Sequence, residues 1–77
     1  MNNCRRKVIE ELIDKLSNLR DEIQCVLDEE QDYYDNIPEN LQSSERAENS
    51  DCSIRNLEDS LSHIEDSIDE LNESISY

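Results

Sequence analysis

Glycine, phenylalanine and tryptophan are absent from these 77 residues, and proline occurs once, at Pro38. A chain without glycine has no Gly-rich loop to cradle phosphate and no tight hairpin turn built on a left-handed residue, which excludes most nucleotide-binding folds. With no large aromatics beyond three tyrosines and only 34% hydrophobic residues, a closed globular core is not expected. A chain of this length buries a thin core unless it associates. Bases are scarce as well, with 7 Lys and Arg against 21 Asp and Glu and a formal net charge of −14. Such a chain repels phosphate, so direct binding to nucleic acid or to an anionic membrane is not expected; Arg5-Arg6-Lys7 is the one basic cluster. No long apolar run is present either, so neither a signal peptide nor a membrane span is read.

Chemistry-bearing residues are few and scattered. Cys4, Cys25 and Cys52 are odd in number, widely spaced and without a C-x-x-C pair, and they read as free thiols of a reducing compartment. With His63 they do not make a zinc-ligand spacing. The Glu-x-x-His element of di-iron bundles is approximated only by Ser60-Leu61-Ser62-His63, with serine where the glutamate belongs. His63 falls on the solvent side of a helical repeat, and the carboxylates fall on surface positions. Neither catalysis nor a cofactor is expected.

What the chain does have is period. In the second half Leu57-Glu58-Asp59-Ser60-Leu61 is followed at intervals of seven by Ile64-Glu65-Asp66-Ser67-Ile68 and Leu71-Asn72-Glu73-Ser74-Ile75. Seven residues make nearly two helical turns, so Ile54, Leu57, Leu61, Ile64, Ile68, Leu71 and Ile75 form one unbroken a/d seam. Its flanks carry Ser60, Ser67 and Ser74 at g and Glu58 and Glu65 at e. In the first half the seam reads Ile9, Leu12, Leu16, Leu19, Ile23, Val26, then Glu30 and Tyr33, with Val8, Ile13, Leu27 and Tyr34 widening the stripe on both sides.

Between the halves, Pro38 disfavours helix at Ile37. Asn36 reads as an N-cap with Glu39 three residues on, and Ser43 or Ser44 as the cap of the second helix. Tyr33, Tyr34, Ile37 and Leu41 are expected to fold inward at this corner. The single domain 1–77 is thus all-α, an antiparallel, coiled-coil-like two-helix hairpin with helix 1 over about 4–33, a corner over 34–43 and helix 2 over about 44–76. Antiparallel folding sets Arg5, Arg6 and Lys7 beside Asp66, Asp69, Glu70 and Glu73, where charges that oppose each helix dipole offset one another. The wide first stripe predicts a homodimer, two hairpins forming a four-helix bundle that covers Val8, Ile13 and Leu27.

The acids supply the candidate binding surface. Glu58, Asp59, Glu65, Asp66, Asp69, Glu70 and Glu73 form an acidic face on the second helix, with carboxylates about 5 to 6 Å apart along it. Asp28, Glu29, Glu30, Asp32 and Asp35 make a second patch, joined at the corner by Tyr33, Tyr34 and Ile37 as anchoring side chains. The stretch Tyr34-Asp35-Asn36-Ile37-Pro38-Glu39-Asn40-Leu41-Gln42-Ser43-Ser44-Glu45-Arg46 resembles a corner found in small uncharacterised acidic helical proteins of phages, prophages and other mobile elements. It departs from them in having Ser-rich heptads rather than Ala- and Glu-rich ones. The resemblance implies a setting in the host-cell cytoplasm and an inhibitor of host defence, of anti-CRISPR or anti-restriction type. The expected partner is a basic nucleic-acid-binding host protein, a nuclease or defence effector, occupied by acidic mimicry of DNA. An assembly module whose acidity serves solubility is the alternative.

Overall fold

The computed structural model describes residues 1–77. Two helices, α1 (Asn3–Asp35) and α2 (Glu45–Ser74), run antiparallel and pack along their length, joined by a corner with one 3-10 turn (Glu39–Leu41). The result is a rod of 59 × 15 × 13 Å. Its radius of gyration, 17.5 Å, is well above the roughly 11–12 Å of a compact domain of this length. No helix is long and apolar enough to cross a membrane.

Every helix end is closed without a left-handed residue, as a glycine-free chain requires; no residue has positive φ. Asn2 caps α1, its Oδ1 accepting from the Arg5 N–H at 2.8 Å. Ser44 caps α2, its Oγ accepting from the Ala47 N–H at 3.3 Å. Asn36 is not an N-cap, contrary to the sequence reading. It ends α1, its backbone N–H and side-chain amide both donating to the Asp32 carbonyl, at 3.1 and 2.8 Å. The 3-10 turn begins instead after Pro38, with no side-chain cap. Gln42 ties the corner by donating to the Ile37 carbonyl at 2.8 Å. Of the four expected corner plugs, Ile37 is buried and Tyr34 packs on the core, while Tyr33 and Leu41 are exposed.

The seam of α2 is as the heptads predict, and Ala47 and Ser50 carry it one repeat further toward the corner. The seam of α1 is rotated from the expected one. The residues turned toward α2 are Arg6, Ile9, Ile13, Leu16, Arg20, Ile23, Leu27, Glu30, Tyr34 and Ile37, all buried or half-buried. They alternate steps of three and four without a lapse and define positions a and d. Leu12, Leu19, Val26 and Tyr33, expected at the seam, stand outside it at 42 to 52% exposure. Ile13 and Leu27, assigned to a dimer contact by the sequence reading, are used inside the hairpin; Val8 stays exposed.

The core is thin. Leu27, Ile54 and Leu61 form its centre with Ile23, Tyr34 and Leu57 packed around them. The charged residues at the seam are served locally. Glu30 accepts from the buried Ser50 hydroxyl at 2.8 Å. The Arg6 guanidinium donates to the main-chain oxygens of Ile75, the C-cap of α2, and of Tyr77 beyond it. The ends therefore meet through Arg6 and the backbone, not through the expected carboxylates of Asp66, Asp69, Glu70 and Glu73. The ion pairs formed are Arg20–Asp21 at 3.5 Å and Arg55–Asp51 at 2.8 Å.

Candidate interaction surface

The seam fixes where every other residue lies. In an antiparallel pair the e positions of both helices share one flank and the g positions share the other, with b beside e and c beside g. The contact of Glu30 with Ser50 and that of Arg6 with Ile75 set the register. A shallow open depression bounded by Glu30, Tyr33, Arg46, Asn49, Ser50 and Ser53 joins the g and c side chains of the two helices near the corner.

Charge is divided unequally between these flanks. The e/b flank carries ten carboxylates: Glu10, Asp14, Asp21, Asp28 and Asp35 from α1, and Glu48, Asp51, Glu58, Glu65 and Asp69 from α2. Against them stand Lys7 and Arg55, of which Arg55 is paired with Asp51. The rest of this flank is polar, and Gln24 and Gln31 donate to Asp28 and Asp35, each at 3.0 Å. The g/c flank carries three bases, Arg5, Lys15 and Arg46, and three acids, Glu22, Glu29 and Glu70, so its net charge is zero. It also carries the exposed apolar residues Val8, Leu12, Leu19, Val26 and Tyr33 of α1, opposite Ser53, Ser60, Ser67 and Ser74 of α2. A chain with a net charge of −14 therefore has one acidic flank and one neutral, partly apolar flank.

The acidic residues singled out in the sequence are divided by this geometry. Glu58, Glu65 and Asp69 lie on the acidic flank, Asp59, Asp66 and Glu73 on the outer back of α2, and Glu70 on the neutral side. Near the corner, Asp28 and Asp35 belong to the acidic flank, Asp32 to the back of α1, and Glu29 and Tyr33 to the neutral flank. Ile37 is buried and Tyr34 half-buried against the core, so of the three corner side chains read as anchors Tyr33 alone is exposed. Sequence reasoning missed the contribution of α1 to the acidic flank (Glu10, Asp14 and Asp21) and that of Glu48 and Asp51. The signal that locates them is the e-to-e pairing, visible only once the seam of α1 is phased correctly.

No group of three or more His, Cys, Asp or Glu side chains converges as a metal site would. Cys4, Cys25 and Cys52 are free and exposed, at f positions on the outer backs of the helices, and His63 is exposed at a c position. Compared with protein-family models, characterised proteins and solved structures, the chain finds no match.

Proposed function

We propose that this chain is a small non-catalytic interaction protein that lays its acidic flank in a basic groove of a nucleic-acid-handling host protein and blocks it. The observation that carries the reading is the concentration of ten carboxylates on one flank while the opposite flank is neutral. Acidity serving solubility alone has no need of a side. Magnitude favours mimicry of one strand over mimicry of a duplex. The ten carboxylates less Lys7 and Arg55 leave the flank a net charge of −8, about one charge per 7 Å along 59 Å, coarser than the ~3.4 Å per phosphate of a single B-DNA strand and far short of ~1.7 Å for both strands. Such a field steers association with a basic partner and discriminates against acidic ones. The resemblance of the corner to those of phage and mobile-element proteins supports a setting in the host-cell cytoplasm and an inhibitor of anti-CRISPR or anti-restriction type.

The second reading, an assembly module, is favoured by the exposed Leu12, Leu19, Val26 and Tyr33 on the other flank. Salt separates the two. Tagged protein is used to capture host proteins, which are eluted in a salt gradient, and the recovered partner is purified and tested for competition with nucleic acid. Mimicry predicts elution with rising salt, competition with nucleic acid, and loss of both in a Glu58→Gln, Glu65→Gln, Asp69→Asn variant. Equal loss on neutralising Asp59, Asp66 and Glu73 on the back of α2 would remove the argument from sidedness. Recovery of partners indifferent to salt would favour assembly.

A further inference from the structure

We propose that two copies of this chain dock antiparallel through their neutral flanks, across a twofold axis passing beside Leu19. The unpartnered stripe on α1 runs from Arg5 to Tyr33, about 42 Å at the helical rise. Its length and its exposed Leu12, Leu19 and Val26 are those of a helix–helix contact face lacking its partner. Charge selects the occupant. A second copy brought against the acidic flank or the backs would set carboxylate against carboxylate, whereas the g/c flank of each copy has no net charge.

The order of side chains along the stripe selects the orientation. The g positions Arg5, Leu12, Leu19, Val26 and Tyr33 are centred on Leu19, and the interleaved c positions Val8, Lys15, Glu22 and Glu29 are centred within one residue of it. A twofold at that point sets Leu19 against its own copy, Leu12 against Val26, and Lys15 against Glu22, each pair occurring twice as an isologous interface requires. It also brings Arg5 over Tyr33, a cation on an aromatic face. In a parallel dimer the same residues meet themselves, Lys15 on Lys15 and Glu22 on Glu22. The antiparallel sense thus removes these like-charge contacts, and Val8 against Glu29 is the one pair it leaves unmatched. The residues of α2 beside the stripe are small (Ser53, Ser60 and Ser67), and Ser53 borders the shallow depression between the helices near the corner. The inference is independent of the mimicry reading, since the acidic flanks of both copies remain outward.

The test is made on the whole chain under reducing conditions, by sedimentation equilibrium and light scattering up to about 100 µM. A dimer is expected, weakened at least about tenfold by Lys15→Glu or by Glu22→Lys, each of which places like charges together twice, and restored when both changes are combined. Both sites are exposed in the hairpin, so helicity by circular dichroism should be unchanged in all three variants. Position is read separately by crosslinking, in a background with Cys4, Cys25 and Cys52 replaced by serine. Under mild oxidation Leu19→Cys should couple two chains, whereas Leu12→Cys alone should not and should couple when mixed with Val26→Cys. A monomer throughout that concentration range overturns the proposal and leaves the flank to a different partner. Self-coupling at position 12, or single charge reversals without effect, overturns it in favour of a different docking geometry.

Discussion

Three charged residues, Arg6, Arg20 and Glu30, occupy positions on α1 that face α2, and each is accommodated by a different device. Glu30 lies where the partner helix narrows to Ala47 and Ser50, and the Ser50 hydroxyl donates to its carboxylate. A hydrogen bond to a charged group contributes more than a neutral one, but Glu30 is half-exposed and water can replace part of it. Ser50→Ala is therefore expected to cost only about 1 kcal/mol in chemical denaturation. Glu30→Leu extends the apolar seam and is expected to stabilise by about 1 kcal/mol, with Ser50→Ala becoming nearly neutral in that background. Full cost of Ser50→Ala in both backgrounds would show that the serine acts through packing. Arg6 works at the far end, where its cation meets the partially negative terminus of α2 and the main-chain oxygens of Ile75 and Tyr77 just past it. Arg6→Gln should cost about 1 kcal/mol and speed amide exchange selectively in the last turn of α2. Uniform acceleration along the helix would contradict the capping role. Arg20 is only partly covered and pairs with its neighbour Asp21, an arrangement that adds little to stability.

At the scale of the element, the hairpin depends on its caps because its core is thin. Ser44→Ala removes the acceptor for the Ala47 N–H and should lower stability by about 1 kcal/mol. Leu61→Ala, in the central cluster, should cost about 2–4 kcal/mol, enough to unfold a marginal hairpin, and thermal melts followed by circular dichroism would rank the two. A Leu61→Ala effect no larger than that of Ser44→Ala would mean that the cluster is not the centre of the fold. The α2 helix was legible because its apolar residues offer a single ladder. The α1 helix offers two that share Ile9, Leu16, Ile23 and Glu30. One is completed by Leu12, Leu19, Val26 and Tyr33, the other by Ile13, Arg20, Leu27 and Tyr34. Read locally, the first is the better seam, because the second contains Arg20. The hairpin uses the second, with Leu27 buried, Tyr34 packed on the core and Arg6 reaching Ile75, whereas Ile37 continues either ladder. The rotation of α1 is thus read from its contacts with α2, which a residue-by-residue pattern does not contain.

For the whole molecule, self-repulsion outweighs ion pairing. A net charge of −14 on a rod of 59 × 15 × 13 Å is offset by only two ion pairs, both local and exposed to solvent. Raising ionic strength from about 0.01 to about 0.15 M shortens the screening length from roughly 30 to 8 Å, which weakens repulsion between the two helices across the acidic flank. The melting temperature is expected to rise with sodium chloride over that range. A fall would mean that attractive pairs dominate. The same screening acts in opposite directions on the two proposed contacts. It weakens capture of a basic partner by the acidic flank, and it favours association of two neutral flanks carried by molecules that otherwise repel.

Period, caps and composition acted locally, and so the sequence alone determined the two helices, their antiparallel pairing, the seam of α2 and the absence of any glycine-built loop. It also determined that acids far outnumber bases. Which acids stand together was decided only by the tertiary structure. A charge at position 14 or 21 joins one at 58 or 65 only through the register of two helices whose relative rotation is seen in the buried Leu27, the packing of Tyr34 on the core and the contact of Arg6 with Ile75. That rotation turned Ile13 and Leu27 inward and left Leu12, Leu19 and Val26 outside. Helix formation is set by near neighbours, whereas the division of a surface into an acidic and a neutral flank depends on residues far apart in the chain, which only folding brings side by side.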